Sequence, residues 1–278
     1  MKRESQTSPM SVLSQVMGIV NVTPDSFSDG GRWTSTAAAV DHAMRLVEQG
    51  ADVLDIGGES TRPGAEPVGE AEEIERVAPV IAAVRARWGG PISVDTMKPA
   101  VARAAVAAGA TMWNDVTALS QAPDSLAVAA ELGCAVVLMH MKGEPRTMQA
   151  DPRYGDVVAE VRDYLRDRAE AAMAAGVARE NIWLDPGIGF GKTLEHNMAL
   201  TARLGELVAL GVPVLYAASR KRTIQAVDPT AVEATDRLGG SLALALEGAR
   251  RGARMVRVHD VRETVQALKL LAAVAAAG

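Results

Sequence analysis

The stretch from Pro91 to Val116 reads PISVDTMKPAVARAAVAAGATMWNDV. It begins and ends with short β-rich runs, Pro91–Asp95 and Met112–Val116, and an Ala-rich helical run, Pro99–Ala108, lies between them. A proline opens this helical run and Gly109 follows it, as helix ends prefer. A helix between two strands predicts a βαβ unit, in which the two strands are parallel.

The same alternation continues along the chain. The other predicted strands are Val16–Val22, Asp52–Gly57, Ala135–His140, Ile182–Asp185, Pro213–Ala218 and Met255–His259. The other predicted helices are Thr36–Gln49, Glu70–Trp88, Asp124–Leu132, Asp156–Ala175, Leu194–Leu210, Asp236–Arg251 and Val261–Ala276. Eight strand–helix units without a linker predict an α/β protein with a single (β/α)8 TIM barrel, rather than a doubly wound sheet.

The length agrees with one domain. A barrel of this kind needs about 250 residues, and the chain has 278. We expect residues 1–14 to be a flexible N-terminal tail and residues 15–278 to be the barrel, because no change of composition marks a second domain. No Gly-Xaa-Gly-Xaa-Xaa-Gly motif follows the first strand, which argues against a dinucleotide-binding fold.

The composition excludes several classes of protein. A net charge of −5 argues against a general nucleic-acid binder, which is usually basic. No apolar run approaches the roughly 18 residues of a membrane span, and residues 1–11 are too polar for a signal peptide. The single cysteine, Cys134, is compatible with a reducing compartment. We therefore expect a cytoplasmic protein whose partners are small molecules, with neither nucleic acid nor a membrane among them.

The predicted fold places the chemistry at one end of the barrel, because TIM-barrel active sites lie at the C-terminal ends of the strands. Polar residues occur at nearly all of these ends, where burial without a partner is costly. They are Asn21, Asp55 with Glu59, Asp95, Asn114 with Asp115, His140, Asp185, Ser219 with Lys221, and Arg257 with His259. The sequence thus predicts a polar pocket.

Three loops adjoin this pocket. Residues 21–31 and 57–64 are rich in oxygen atoms and small residues, which suits ordinary turns and caps as well as a ligand site. Residues 185–193 resemble a phosphate-binding P-loop, but Pro186 stands where that motif needs glycine and has no N–H to offer. We expect this loop to leave Asp185 exposed and to hold Phe190 over the pocket.

The last two strands end in basic residues. Ser219-Arg-Lys-Arg222 leads into a helix, whose N-terminal N–H groups favour anions, although a solvated basic face is the alternative. Arg257 and His259 lie two apart and share one face of their strand. Inside the barrel they need an anion or a carboxylate partner, so a phosphate site and a buried salt bridge are both open. No spacing indicates zinc, and a bound metal is expected to be Mg²⁺ with oxygen ligands.

Five motifs together resemble the dihydropteroate synthase family over residues 16–270. They are MGIVNVTPDSFSDGG (17–31), DIGGESTRPG (55–64), DPGIGFGK (185–192), SRK (219–221) and RVHD (257–260). The resemblance implies a transferase that condenses 6-hydroxymethyl-7,8-dihydropterin diphosphate with 4-aminobenzoate to give 7,8-dihydropteroate and diphosphate, with diphosphate leaving first. It also implies a sulfonamide target and a homodimer formed through helices remote from the site.

The resemblance assigns roles to individual residues. Catalysis would fall to Asp95, Lys221, Arg257 and His259. The pterin, whose N–H groups need acceptors, would be held by Asp95, Asn114, Asp185 and Lys221. The diphosphate would be held by Asn21, Arg257 and His259, with Mg²⁺ near Asn21. The 4-aminobenzoate would be held by Phe27, Thr61, Arg62, Pro63, Phe190 and Ser219.

Three positions depart from the family pattern. Ala217 stands where the family usually has glycine close to the pterin, and Arg222 and Gln225 replace small residues. Glycine lets the backbone approach a ligand, so we expect the Ala217 methyl group to weaken pterin binding. The alternative functions are a pterin-binding paralogue without catalysis, a folate-dependent methyltransferase of the same barrel family, and an NTP-binding protein.

Overall fold

Strands and helices alternate along the chain in the computed structural model, which describes residues 14–22, 32–60, 66–144 and 147–277, with side chains from residue 36 onward in the first helix. The strands are β1 (Gln15–Asn21), β2 (Val53–Gly57), β3 (Ile92–Asp95), β4 (Met112–Asp115), β5 (Ala135–Met139), β6 (Ile182–Asp185), β7 (Leu215–Tyr216) and β8 (Met255–Val258). The helices are α1 (Arg32–Glu48), α2 (Glu70–Arg85), α3 (Pro99–Ala107), α4 (Ser125–Leu132), α5 (Val157–Ala174), α6 (Leu194–Ala202), α7 (Gly205–Val208), α8 (Arg222–Val227), α9 (Leu238–Arg250) and α10 (Val261–Ala277).

The eight strands form one parallel sheet in the order β6-β5-β4-β3-β2-β1-β8-β7. The sheet edges meet at a parallel bridge between Leu184 of β6 and Val214, which directly precedes β7, and the Leu184 N–H donates to the Pro213 carbonyl over 2.9 Å. The sheet therefore closes on itself, and the predicted TIM barrel is confirmed.

Apolar side chains pack on both faces of this sheet. On the outside, strand residues such as Val94, Leu138 and Val256 pack with residues of the helices in one large core. A smaller apolar layer fills the inside, and its buried members are Met17, Val53, Met112, Val137, Leu215, Ala217 and Met255. Asp55, Asn114 and Arg257 each lie two residues beyond a member of this inner layer. Because alternate residues of a strand share a face, these polar side chains point into the barrel at its C-terminal end.

Some predicted bounds were wrong. The predicted helix Leu194–Leu210 is two helices, α6 and α7, because Arg203 leaves helical geometry at φ −111° and ψ 23° and Gly205, a weak helix former, opens α7. β7 has only two residues, and α8 was expected as a helix start after Ser219 but its extent was not predicted.

The structure tests part of what was expected for the N-terminal tail, the cysteine and membrane spans. Residues 1–13 of the predicted tail lie outside the described residues, and the Ser14 hydroxyl donates to the Ala253 carbonyl over 2.6 Å. Cys134 is buried, and burial raises the pKa of its thiol. Within the described ranges, none of the helices has the length and apolar character needed to span a membrane.

Candidate active site

Arg257 joins two carboxylates at the polar end of the barrel. Its Nε donates to Oδ2 of Asp55 and its Nη2 donates to Oδ2 of Asp95, each over 2.6 Å. The Asp55 side chain is fully buried and the Asp95 side chain is 12% exposed. With both carboxylates ionised, the three residues carry one net negative charge. Burial raises the pKa of Asp95, and the charge of Arg257 opposes that rise.

Asn114 and Asp115, neighbours at the end of β4, serve different purposes. The Asn114 Nδ2 donates to Oδ2 of Asp55 over 3.2 Å, which places it in the pocket. The Asp115 carboxylate accepts from the N–H and the hydroxyl of Thr117, each over 2.7 Å, and from the Leu119 N–H over 3.0 Å. Asp115 therefore fixes the loop after β4 rather than facing a ligand.

The loop after β6 wraps around a buried lysine. Lys192 is 3% exposed, and its Nζ donates to the carbonyls of Gly187 and Phe190 over 3.0 Å and of His140 over 3.2 Å. It also lies 2.9 Å from Nδ1 of His140. Gly187 allows this close packing, because its φ is +67° and a Cβ there would lie 1.9 Å from the His140 oxygen. Lys192 is thus bound within its own loop, unlike the lysine of a P-loop, which binds phosphate.

Asp185 is buried, so its predicted exposure was wrong. It is 3% exposed, and its Oδ1 accepts from the Gly187 N–H over 2.7 Å. The physical reason is that the loop around Lys192 folds back over the end of β6. Burial raises the pKa of Asp185, and the charge of Lys221 opposes this rise.

Lys221 contacts the same loop. Its Nζ donates to the Ile188 carbonyl and lies 4.7 Å from the centre of the Phe190 ring, in a cation–π contact. Burial lowers the pKa of Lys221 to about 8, although the charge of Asp185 opposes the shift. A cation largely withdrawn from water therefore lies beside an aromatic ring and within the electrostatic reach of a carboxylate.

Ser219 and His259 pair at the ends of β7 and β8. The Ser219 Oγ accepts from the backbone N–H of His259 over 3.2 Å and lies 3.0 Å from its Nδ1. A hydroxyl that accepts from the backbone can donate its hydrogen to Nδ1, which leaves Nε2 as the N–H donor of the ring. The hydroxyl expected at the 4-aminobenzoate is therefore engaged with His259 in this structure.

The segment between β7 and α8 is held by ion pairs. Arg220 has a φ of +58°, which is uncommon outside glycine, and its side chain pairs with Asp260 over 3.0 and 2.5 Å. Arg237 donates to the Arg220 carbonyl and to the Gln225 side chain, each over 3.0 Å. Gln225 thus helps to fix this segment, whereas Arg222 is exposed.

The structure describes only the neighbours of four residues expected at the 4-aminobenzoate. Phe27, Thr61, Arg62 and Pro63 lie outside the described residues. On either side of residues 61–65, Glu59 and Val68 are both bound by Lys98, whose Nζ donates to the Glu59 carboxylate over 2.5 Å and to the Val68 carbonyl over 2.7 Å. Asn21 ends β1 opposite Gly57.

The described residues contain no group of three or more His, Cys, Asp or Glu side chains that could hold a metal. Mg²⁺ usually keeps several waters and takes few protein oxygens besides substrate phosphates. Asn21, a single oxygen donor at the pocket end of β1, fits that kind of site.

The sequence placed Asp55 and His140 among the polar residues of the predicted pocket but gave neither of them an individual role, and it gave Lys192 none. Asp55 was visible as a polar residue at a strand end. Its bond to Arg257 spans 202 positions, and no local pattern predicts such a pairing.

A closed barrel with acidic acceptors, an amide, a lysine and an arginine at one end has the architecture of a pterin-binding barrel enzyme, and the family model described as "Pterin binding enzyme" matches residues 17–259. The dihydropteroate synthase of Escherichia coli K12 is 49% identical over 258 residues, which are 93% of this chain and 90% of that protein. The solved structure of Xanthomonas albilineans dihydropteroate synthase with 4-aminobenzoic acid is 54% identical, with a TM-score of 0.89 and coverage of 95% of this chain and 93% of that one. The Yersinia pestis dihydropteroate synthase in a sulfonamide drug complex is 44% identical, with a TM-score of 0.89 and 95% coverage of both chains.

The chain belongs to the dihydropteroate synthase family of pterin-binding enzymes, which are transferases of folate biosynthesis. The function of a dihydropteroate synthase therefore holds over the two alternatives, a pterin-binding paralogue without catalysis and a folate-dependent methyltransferase.

Proposed function

We propose that the polar end of the barrel binds the pterin diphosphate through Asp95, Asn114, Asp185 and Lys221 and there joins it to 4-aminobenzoate. The observation that carries this assignment is the gathering of these side chains around Arg257 at one end of the barrel. Carboxylate and amide oxygens accept from the amino and ring N–H groups of a pterin, and the Lys221 ammonium donates to its carbonyl.

The diphosphate is assigned to Arg257, His259 and Asn21. The arrangement with Ser219 leaves an N–H on Nε2 of His259, which suits a phosphate oxygen, and Arg257 keeps further N–H groups beyond the two bonded to carboxylates. Mg²⁺ bound near Asn21 would share the charge of the diphosphate.

Departure of diphosphate precedes attack in this proposal. The bond between the pterin methylene carbon and the diphosphate oxygen breaks, and its electron pair leaves with diphosphate. The amine nitrogen of 4-aminobenzoate then bonds to this carbon and loses a proton. With both carboxylates ionised, the net negative charge of Asp55, Asp95 and Arg257 favours the intermediate cation, because fixed charges in a buried site stabilise developing charge strongly.

A coupled assay tests the reaction and the metal together. The purified protein, given pterin diphosphate, 4-aminobenzoate and Mg²⁺, is expected to form dihydropteroate and diphosphate in equal amounts. Asp95→Asn is expected to reduce this rate, whereas Asp163→Asn, on the exposed surface of α5, is expected to leave it unchanged. Product formation undiminished by a chelator would contradict the role of the metal.

The 4-aminobenzoate is assigned to Phe190 and Ser219, together with Phe27, Thr61, Arg62 and Pro63. Support comes from the position of the Phe190 ring beside Lys221 and from the Yersinia pestis relative, whose structure holds a sulfonamide drug. A sulfonamide, with similar oxygens and an aryl amine, is expected to compete with 4-aminobenzoate. Competition against the pterin diphosphate instead would contradict this placement.

The chain is further proposed to form a homodimer in the cytoplasm. Leu270 and Val274 support a dimer, because these apolar side chains of α10 are 63% and 69% exposed and lie in the half of the helix away from the end of β8. Light scattering after size-exclusion chromatography is expected to give twice the chain mass, and a monomer at micromolar concentration would contradict the dimer. Cell fractionation tests the location.

A further inference from the structure

Asp55 is the most deeply buried acidic residue in contact with the pocket side chains. Its relative exposure is 0%, and a single oxygen, Oδ2, accepts from Arg257 Nε over 2.6 Å and from Asn114 Nδ2 over 3.2 Å. The other oxygen, Oδ1, is buried and has no hydrogen-bond partner among the described residues. One carboxylate thus holds two side chains that the proposed function assigns to different parts of the substrate.

The bond to Asn114 decides which atom that amide offers. An ionised carboxylate only accepts hydrogen bonds, so it must face the NH2 group of Asn114 and not its oxygen. The amide oxygen is then left as an acceptor for a ligand N–H. Without Asp55, the amide is able to rotate and present a donor instead.

The bond to Arg257 fixes the guanidinium plane. Asp55 binds Nε and Asp95 binds Nη2, so two carboxylates hold adjacent parts of the group. The plane is therefore defined, and the N–H groups not bound to these carboxylates are directed away from them. Loss of Asp55 leaves Arg257 with Asp95 as its one carboxylate partner within the described residues, free to rotate about that contact.

We propose that Asp55 is a positioning residue that orients Arg257 and Asn114 together and thereby sets which atoms they offer to the diphosphate and to the pterin. This inference rests on the proposed function. It predicts that one substitution, at a position to which the proposed function assigns no part of the substrate, weakens two chemically different ligands.

Calorimetric titration of two probes, 6-hydroxymethyl-7,8-dihydropterin and inorganic diphosphate with Mg²⁺, tests the inference. Asp55→Ala is expected to weaken each about tenfold. Asp55→Asn is expected to bind both within about threefold of the parent, because its amide oxygen can replace Oδ2 as the acceptor for both donors. In the Asn114→Ala background, Asp55→Ala is expected to have no further effect on the pterin but to keep its full effect on diphosphate, since neighbours in one network are not additive.

Asp115 provides the matched control. Asp115 follows Asn114 in the chain and is also fully buried. Its carboxylate, however, accepts hydrogen bonds from Thr117 and Leu119. Asp115→Ala is expected to lower the melting temperature without changing either affinity. Equal losses of affinity in Asp55→Ala and Asp115→Ala, parental affinities in Asp55→Ala, or additive effects of Asp55→Ala and Asn114→Ala on the affinity for the pterin would each overturn the inference. If Asp55→Ala does not fold, Asp55→Leu removes the same acceptors while filling the space. If the parent binds neither probe, the proposed function itself has failed.

Discussion

Two basic residues lie inside the same end of the barrel, and their partners differ. Arg257 binds the carboxylates of Asp55 and Asp95, whereas Lys192 binds three carbonyl oxygens and the imidazole of His140. An ammonium has three hydrogens, which these four contacts exhaust, while a guanidinium has five N–H groups. Lys192 therefore builds a loop, and Arg257 retains donors for a ligand.

The pKa shifts of the two side chains also differ, in a way that agrees with their partners. Burial lowers the pKa of Lys192 well below its ordinary value, and the charge of Asp185 opposes this. Burial also acts to lower the pKa of Arg257, but the charges of Asp55 and Asp95 outweigh it and raise the pKa overall. A cation surrounded by neutral acceptors indicates a structural role, and a cation between carboxylates indicates an electrostatic one.

The largest expected effect is that of Arg257→Ala. Loss of a charge-stabilising donor typically costs about 2–4 kcal/mol of transition-state stabilisation, so kcat/KM for the pterin diphosphate is expected to fall by a factor between roughly 30 and 10³. His259→Ala is expected to cost less, because a neutral imidazole supplies one donor. Arg85→Ala is the control, since Arg85 donates to the carbonyls of Gly90 and Gly109 at the opposite end of the barrel. If both site variants keep the parental turnover, the diphosphate binds elsewhere.

Lys192→Met, in contrast to Arg257→Ala, is expected to lower the stability of the fold more than it lowers catalysis. It leaves three buried or partly buried carbonyls without this donor, at a cost of about 1–3 kcal/mol for each group, so the free energy of unfolding is expected to fall by roughly 3 kcal/mol or more. The KM for the pterin diphosphate is expected to rise only about tenfold, through movement of Phe190 and Ile188. Denaturant unfolding and steady-state kinetics measure the two effects. Lys142→Met, at a side chain 46% exposed, is the matched control and is expected to be nearly neutral.

The sequence predicted the strands and the end of the barrel at which the site lies. The strand–helix alternation predicted eight strands, and β6 was predicted with its observed bounds, because local apolar runs determine where strands form. The barrel rule then placed Asp95, Asn114, Asp185 and Arg257 at one end.

The partners of those residues could not be predicted. The break between α6 and α7 was missed because the residues from Leu194 to Leu210 have a continuous helical pattern, and the buried contact of Thr201 with the Tyr216 hydroxyl next to the break is tertiary. The environment of Lys192 depends on the close approach of Gly187 to His140 across two strands. Such contacts arise only when the sheet closes.

A smaller expected effect is a pH dependence of kcat/KM that depends on Lys221 and not on Lys192. The pKa of Lys221 is about 8 because it is buried, despite the opposing charge of Asp185. As the pH rises through this value, Lys221 loses the proton that we propose it donates to the pterin, so kcat/KM for the pterin diphosphate is expected to fall above about pH 8. Lys221→Arg, which stays charged, is expected to remove this alkaline limb, and Lys192→Met is expected to keep it. A limb that persists in Lys221→Arg and disappears in Lys192→Met would make Lys192 the titrating group and contradict its structural role.

The smallest expected effect concerns Ala217, which follows β7 in the part of the barrel between the Lys192 loop and Arg257. Its methyl group is buried in the inner apolar layer with Leu215 and Met255, directly before the segment that carries Ser219 and Lys221. Ala217→Gly removes that methyl group and adds backbone freedom, so the free energy of unfolding is expected to fall by about 1–2 kcal/mol. If the methyl group presses on the pterin, its removal is expected to lower the KM for the pterin diphosphate roughly tenfold, equivalent to about 1.4 kcal/mol, and to leave the KM for 4-aminobenzoate unchanged.

Ala218→Gly is the matched control for this last variant. Ala218 is equally buried but packs in the outer core, on the other face of the sheet, so its replacement is expected to cost similar stability without changing either KM. The pair separates a contact with the ligand from a general loosening of β7, because loosening acts on both faces and a ligand contact acts on one. If Ala217→Gly binds the pterin no better than the parent protein does, the strand has already moved back to accommodate the methyl group. The inner apolar layer, and not only Arg257 and Lys192 with their partners, would then help to set the shape of the pocket.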